Sequence, residues 1–205
     1  MQNLRSIAAK LGVAAFATAT FVGYGVHMPV ATASANDTPT CGGLTATIVG
    51  TSGNDVLVGT AHRDVIVGKA GKDTIKGLAG NDVLCGGTGN DTIVGGDGAD
   101  TEYCQDGSDS LDGNAGQDTL SGGDGQDTES GGTGDDSLDG DAGSDDLSGD
   151  SGDDVISGGS GDDTLEGEAG DDSLDGGSGT DDEIGGSGND TETCTTVDTC
   201  DNSVS

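Results

Sequence analysis

Sixteen aspartates return at intervals of nine residues: Asp55, Asp64, Asp73, Asp82, Asp91, Asp100, Asp109, Asp118, Asp127, Asp136, Asp145, Asp154, Asp163, Asp172, Asp181 and Asp190. They hold position 6 of consecutive units that fill Gly50 to Thr193 without insertion or deletion. Carboxylates and backbone carbonyls at this density, in Gly-rich chain, are hard oxygen ligands. Irregular six- to eight-fold oxygen coordination suits Ca2+, whereas Mg2+ demands a near-octahedral site and keeps its waters. Zinc needs His or Cys at fixed spacing, and that pattern is absent. All sixteen aspartates are therefore candidate metal ligands. Catalysis is not expected. His62 is the one histidine beyond residue 35, at a turn position otherwise held by Gly, and Asp-Asp pairs are too common here to mark an active site.

The elements that would position these ligands can be read from the same register. Position 1 is Gly except at Cys104, and position 4 is Gly except at His62. Glycine at these two places permits the positive φ of a tight turn. Positions 7 to 9, as in Thr92-Ile93-Val94, are β-prone with the apolar residue in the middle. Alternation along a strand then sends position 8 inward and its neighbours outward. Six residues of turn and three of strand, taken twice, make a coil of eighteen. Sixteen units give about eight coils stacked at about 4.8 Å, or roughly 38 Å of solenoid. The interior is thin, a ladder of residues such as Leu57, Ile75, Ile93 and Leu111 from alternate units. Glu102, Glu129, Glu183 and Glu192 take the inward place in four units, which implies either a frayed or wider coil or a cation held inside.

Charge decides how such a chain folds. It has 205 residues with 39 acids and 6 bases, a net charge of −33. Low hydrophobicity at high net charge predicts disorder, yet a disordered tail has no reason to keep a register. The two readings combine: the chain is disordered without a cation and ordered with one. The same charge repels nucleic acid and anionic lipid.

The units GGTGNDTIV (86–94), GGTGDDSLD (131–139) and GGSGDDTLE (158–166) resemble the RTX, or haemolysin-type, calcium-binding nonapeptide GGxGxDxUx, where U is a large aliphatic. The resemblance implies an all-β fold, a right-handed parallel β-roll, with each Ca2+ between two turns on one edge. Asp55 would share an ion with Asp73, Asp64 with Asp82, and so on. Seven gaps on each edge set a ceiling of about fourteen ions, about +28 against the −35 of residues 36–205. Binding should be weakest at repeats 2 and 3, with His62, Arg63, Lys69, Lys72 and Lys76. It should be tightest where acid also fills position 5, at Asp135, Asp153, Asp162 and Asp171.

The flanks complete the reading. Arg5 and Lys10, a weakly apolar run and Ala33-Ser34-Ala35 read as a secretory signal peptide over 1–35. No membrane insertion follows from it, and the family resemblance suggests a bacterial extracellular protein. Residues 36–49 are a linker and cap, 50–193 the roll, and 194–205 the opposite cap. Export makes disulfides plausible, Cys85–Cys104 across neighbouring coils and a local Cys194–Cys200 loop, leaving Cys41 over. The expected function is a secreted, non-catalytic calcium-binding repeat protein. The alternative is a matrix, envelope or adhesin component that meets a partner weakly and multivalently, since the outward positions lack aromatic anchors.

Overall fold

The structure is a computed structural model and describes residues 39–193 and 198–201. The expected signal peptide over 1–35 and the residue Cys194 lie outside the described residues. The described chain is an all-β parallel solenoid. The odd-numbered repeats build one nine-stranded sheet, from Val56–Val58 through Thr74–Ala79 and Thr92–Asp97 to Asp182–Ile184 and Thr199–Asp201. The even-numbered repeats build the other, from Ile48–Val49 through Val65–Ala70 and Val83–Thr88 to Thr191–Thr193. Within the repeats, partners lie eighteen residues apart, as in Leu57 with Ile75 and Ile75 with Ile93. Sixteen units therefore close into about eight coils.

Position 8 points inward throughout. Ile66, Ile75, Leu84, Ile93, Leu111, Leu120, Leu138, Leu147, Ile156, Leu165 and Leu174 form one continuous buried ladder. Each buried aliphatic contributes about 2 kcal/mol, roughly the backbone entropy of one or two ordered residues, so the ladder alone is thin support. The glutamates do not open it. Glu102, Glu129 and Glu183 are buried in register, Glu102 between Leu84 and Leu120 and Glu129 between Leu111 and Leu147. The frayed or widened coil is not what these residues form.

The strands are longer than the expected three residues. From Val65–Ala70 to Asp146–Ser151 they run from position 7 to position 3 and sometimes beyond. Pairing skips position 1 and resumes at positions 2 and 3, as in Val67 with Cys85 and then Lys69 with Gly87. The left-handed backbone falls at positions 2 and 4, not at 1 and 4. Position 2 has positive φ in every repeat from the third onward, even where it is Lys69 (91°), Leu78 (87°) or Asn114 (72°). Position 1 keeps ordinary φ, and its glycine answers to space instead.

An N-terminal hairpin pairs Thr40–Cys41 with Leu44–Thr45 around Gly42 and Gly43, whose φ values of 55° and 78° suit a primed two-residue turn. Val65, Val67, Val83 and Cys85 cluster with Cys41 in a second, smaller core, against which Ala46 and Tyr103 pack. A Cys41–Cys85 disulfide links the hairpin to the fourth repeat, with Cα atoms 5.8 Å apart. The expected Cys85–Cys104 bridge is not formed, and Cys104 is a free thiol buried in the main ladder. Cys85 pairs with Tyr103, so strand alternation sends Cys104 to the other face of the sheet. The strand Thr101–Gly107 runs unbroken through that position, and the alternation rule does not relax there. Cys200 is disulfide-bonded, and its strand Thr199–Asp201 adds a last rung, Cys200 opposite Glu183.

Candidate metal centre

From Asp73 to Asp190, each position-6 aspartate is fixed through one oxygen. Oδ1 accepts the backbone N–H of the aspartate one coil earlier: Asp55 N–H donates to Asp73 at 2.8 Å, Asp64 to Asp82 at 2.7 Å, and Asp100 to Asp118 at 2.7 Å. The pattern continues to Asp172 N–H and Asp190 at 3.1 Å. Two columns of carboxylates result, one on each edge, with neighbours eighteen residues apart. The structure thus brings together the same pairs the sequence suggested. Asp64 to Asp181 are buried, and Asp55 and Asp190 are half-buried.

The other oxygen separates the columns into two kinds. In the first two repeats Oδ2 is satisfied locally. Thr51 donates from N–H (2.6 Å) and Oγ1 (2.9 Å) to Asp55, and Thr60 does the same for Asp64 (2.7 and 2.9 Å). From Asp73 to Asp181, thirteen consecutive Oδ2 atoms are buried with no hydrogen-bond donor. All but Asp109, whose repeat has Cys104 at position 1, lie over the position-1 glycine of their own repeat. A Cβ built on Gly113 would sit 2.7 Å from Asp118 Oδ2 and 2.7 Å from the Gly131 carbonyl oxygen of the next coil. On Gly167 it would sit 2.5 Å from Asp172 Oδ2 and 2.5 Å from the Gly185 carbonyl. Glycine at position 1 leaves a cradle in which a carboxylate and a carbonyl from adjacent coils converge.

The electrostatics match that geometry. Burial pushes Asp118 and Asp154 up to about 7 and Asp100, Asp109 and Asp145 up to about 6. The amide bonded to Oδ1 pulls each back, while the neighbouring carboxylates of the column push further up. Burial also raises Glu102 and Glu129 well above the usual carboxylate range, with Asp100 and Asp127 adding to it. Buried carboxylates without donors require a proton or a cation. An all-oxygen donor set of this charge fits a hard divalent ion, Ca2+ before Mg2+, and offers zinc nothing.

The position-5 acids stand apart from this. Asp135, Asp153, Asp162 and Asp171 are exposed; Asp135, Asp153 and Asp171 form an outer ladder of opposite direction, while Asp162, on the other edge, accepts from Thr180 N–H at 3.0 Å. Asp135 Oδ1 accepts from Asp153 N–H at 3.2 Å, and Asp153 Oδ1 from Asp171 N–H at 2.9 Å. At the C-terminal end, ligand atoms of Glu183, Glu192 and Cys200 lie within 4.8 Å of one another, but Cys200 is disulfide-bonded and offers no thiolate. Sequence reasoning missed the threonine brackets, whose signal was Thr at position 2 in the first two units alone. It also missed the cradle, because it assigned the position-1 glycine to turn conformation.

A solenoid of nine-residue units carrying paired carboxylate columns is the architecture of calcium-binding repeat proteins. The profile of the RTX calcium-binding nonapeptide repeat matches residues 42–75, 68–102, 105–129, 130–156 and 157–192, and the chain belongs to that family. No curated protein matches the sequence.

Proposed function

We propose that this is a secreted, non-catalytic calcium-binding module that orders when Ca2+ is taken up between stacked turns. The observation that carries the reading is the run of thirteen buried, donor-less Oδ2 atoms from Asp73 to Asp181. These aspartates, with position-1 carbonyls of the adjacent coil, would hold the ions. Bound Ca2+ supplies the positive charge that the columns lack, and the chain's own hydrogen bonds between coils do the rest. Asp55, Asp64 and Asp190, at the ends, are weaker members of the set. The N-terminal thirty-five residues serve export, and extracellular calcium in the millimolar range meets the chain there. The outward face is mostly polar and acidic, with scattered exposed apolar residues such as Val56 and Val155 and no aromatic anchor beyond Tyr103, so any macromolecular partner is met weakly and through many contacts.

The test is far-UV circular dichroism of the mature chain, titrated with Ca2+ and separately with Mg2+. Cooperative gain of β-structure with Ca2+, and little with equal Mg2+, is the expected result. A signal fully formed in chelator, or equal with both ions, would sink the reading.

A further inference from the structure

Glu102 and Glu129 stand where twelve other repeats carry Leu or Ile, and they are 0% and 1% exposed. None of their four carboxylate oxygens accepts a hydrogen bond at bonding geometry, although the Gly122 amide lies near Glu129. Their head groups are aimed. Each folds back seven residues toward the position-1 glycine of its own repeat. A Cβ on Gly95 would meet Asp100 Oδ2 at 2.6 Å and Glu102 Oε1 at 2.7 Å. On Gly122 it would meet Asp127 Oδ2 at 2.5 Å and Glu129 Oε1 at 2.8 Å.

The ordinary cradle holds one carboxylate oxygen and one carbonyl; these two hold a second carboxylate oxygen, delivered from inside the roll. The same reach recurs at Glu183, whose Oε1 accepts from Gly176 N–H at 2.8 Å. At Glu102 it leaves both oxygens without a donor, and at Glu129 the Gly122 amide stands near but outside bonding geometry. No base is at hand, since Arg63, Lys69, Lys72 and Lys76 all belong to repeats 2 and 3. Two buried carboxylates facing one spot cannot both stay charged unless a cation joins them; without it they must take up protons.

We infer that Asp100 with Glu102, and Asp127 with Glu129, form two interior divalent-cation sites of higher charge than the other turns, filled by Ca2+ ahead of them. The inference rests on the calcium reading of the turns. It makes the inward glutamates ligands, not core defects, and fixes the first ions at the third and fifth coils.

The test compares the full mature chain with the double variant Glu102→Leu/Glu129→Leu, which installs the residue type of the other repeats and so keeps the ladder. Bound Ca2+ per chain is counted by equilibrium dialysis from micromolar to millimolar free calcium. The wild type should fill two sites at about tenfold lower free calcium than the rest, because affinity follows ligand charge count. The Leu variant should lose those two ions, and Glu102→Gln/Glu129→Gln, of unchanged size, should lose them too. A Leu variant that binds the same number of ions over the same range overturns the inference and leaves the calcium reading standing. A wild type that binds no Ca2+ overturns both.

Discussion

A carboxylate in these columns has two oxygens with different duties, and most residue-scale behaviour follows from that division. Oδ1 is committed to the previous coil's amide, while Oδ2 from Asp73 to Asp181 has nothing but its neighbours' charge. Asp118→Asn keeps the size and removes the charge. It should weaken calcium binding in the two gaps flanking Asp118 and lower the dialysis count by one or two ions. pH supplies a second prediction. Asp118 and Asp154 sit near 7 and Asp100, Asp109 and Asp145 near 6, all above their unfolded values. The calcium-free roll therefore holds more protons than the unfolded chain, and its stability falls as pH rises from about 4 through about 7. In chelator, circular dichroism should report more β-structure at pH 4.5 than at pH 7.5. With Ca2+ the midpoint should instead move to higher calcium as pH falls below 7, protons competing for the same oxygens. All sixteen aspartates were legible in the sequence, because a strict period survives any folding. The division between Oδ1 and Oδ2 was not, since it depends on which peptide of the adjacent coil faces the carboxylate.

At the scale of the element, the ladder and the hairpin answer to different forces. Leu138→Ala removes buried methyl groups from the ladder between Leu120 and Ile156. It should cost about 2–4 kcal/mol and raise the calcium midpoint of folding, read from titrations of both chains. The hairpin depends on Cys41–Cys85, which closes a separation of 44 residues, and a loop of that size is worth roughly 4 kcal/mol in the chain-entropy view. Cys41→Ser/Cys85→Ser should make residues 40–85 the first segment cut in limited proteolysis at saturating calcium, with the later coils still protected. The inward ladder followed from position 8 alone. The hairpin was legible too, since Gly42-Gly43 between Thr40-Cys41 and Leu44-Thr45 is a two-residue turn signal; reading residues 36–49 only as a linker and cap hid it. The strand extensions through position 3 were not legible. They require a left-handed residue at position 2, and Lys69, Leu78 and Gln105 adopt it without being Gly or Asn.

Over the whole molecule, charge and register set the behaviour. Scattering measurements on residues 36–205 should find the chain contracting from a radius of gyration of about 44 Å in chelator to about 16 Å with calcium. Sodium chloride alone should reproduce little of it, because screening lowers repulsion without occupying a cradle. The register has a consequence for length as well. The position-7 to position-9 ladder repeats at eighteen residues from coil to coil, so two repeats can be lost or gained and the flanking coils still fit. Deleting residues 131–148 should leave a shorter roll with fewer ions. The span from Cys41 to Cys85 has no such freedom, because the hairpin must reach one outward cysteine on the fourth repeat. Gain or loss of whole coils would then be tolerated downstream of Cys85 and not upstream of it. The disulfide marks where the length of this protein is free to drift.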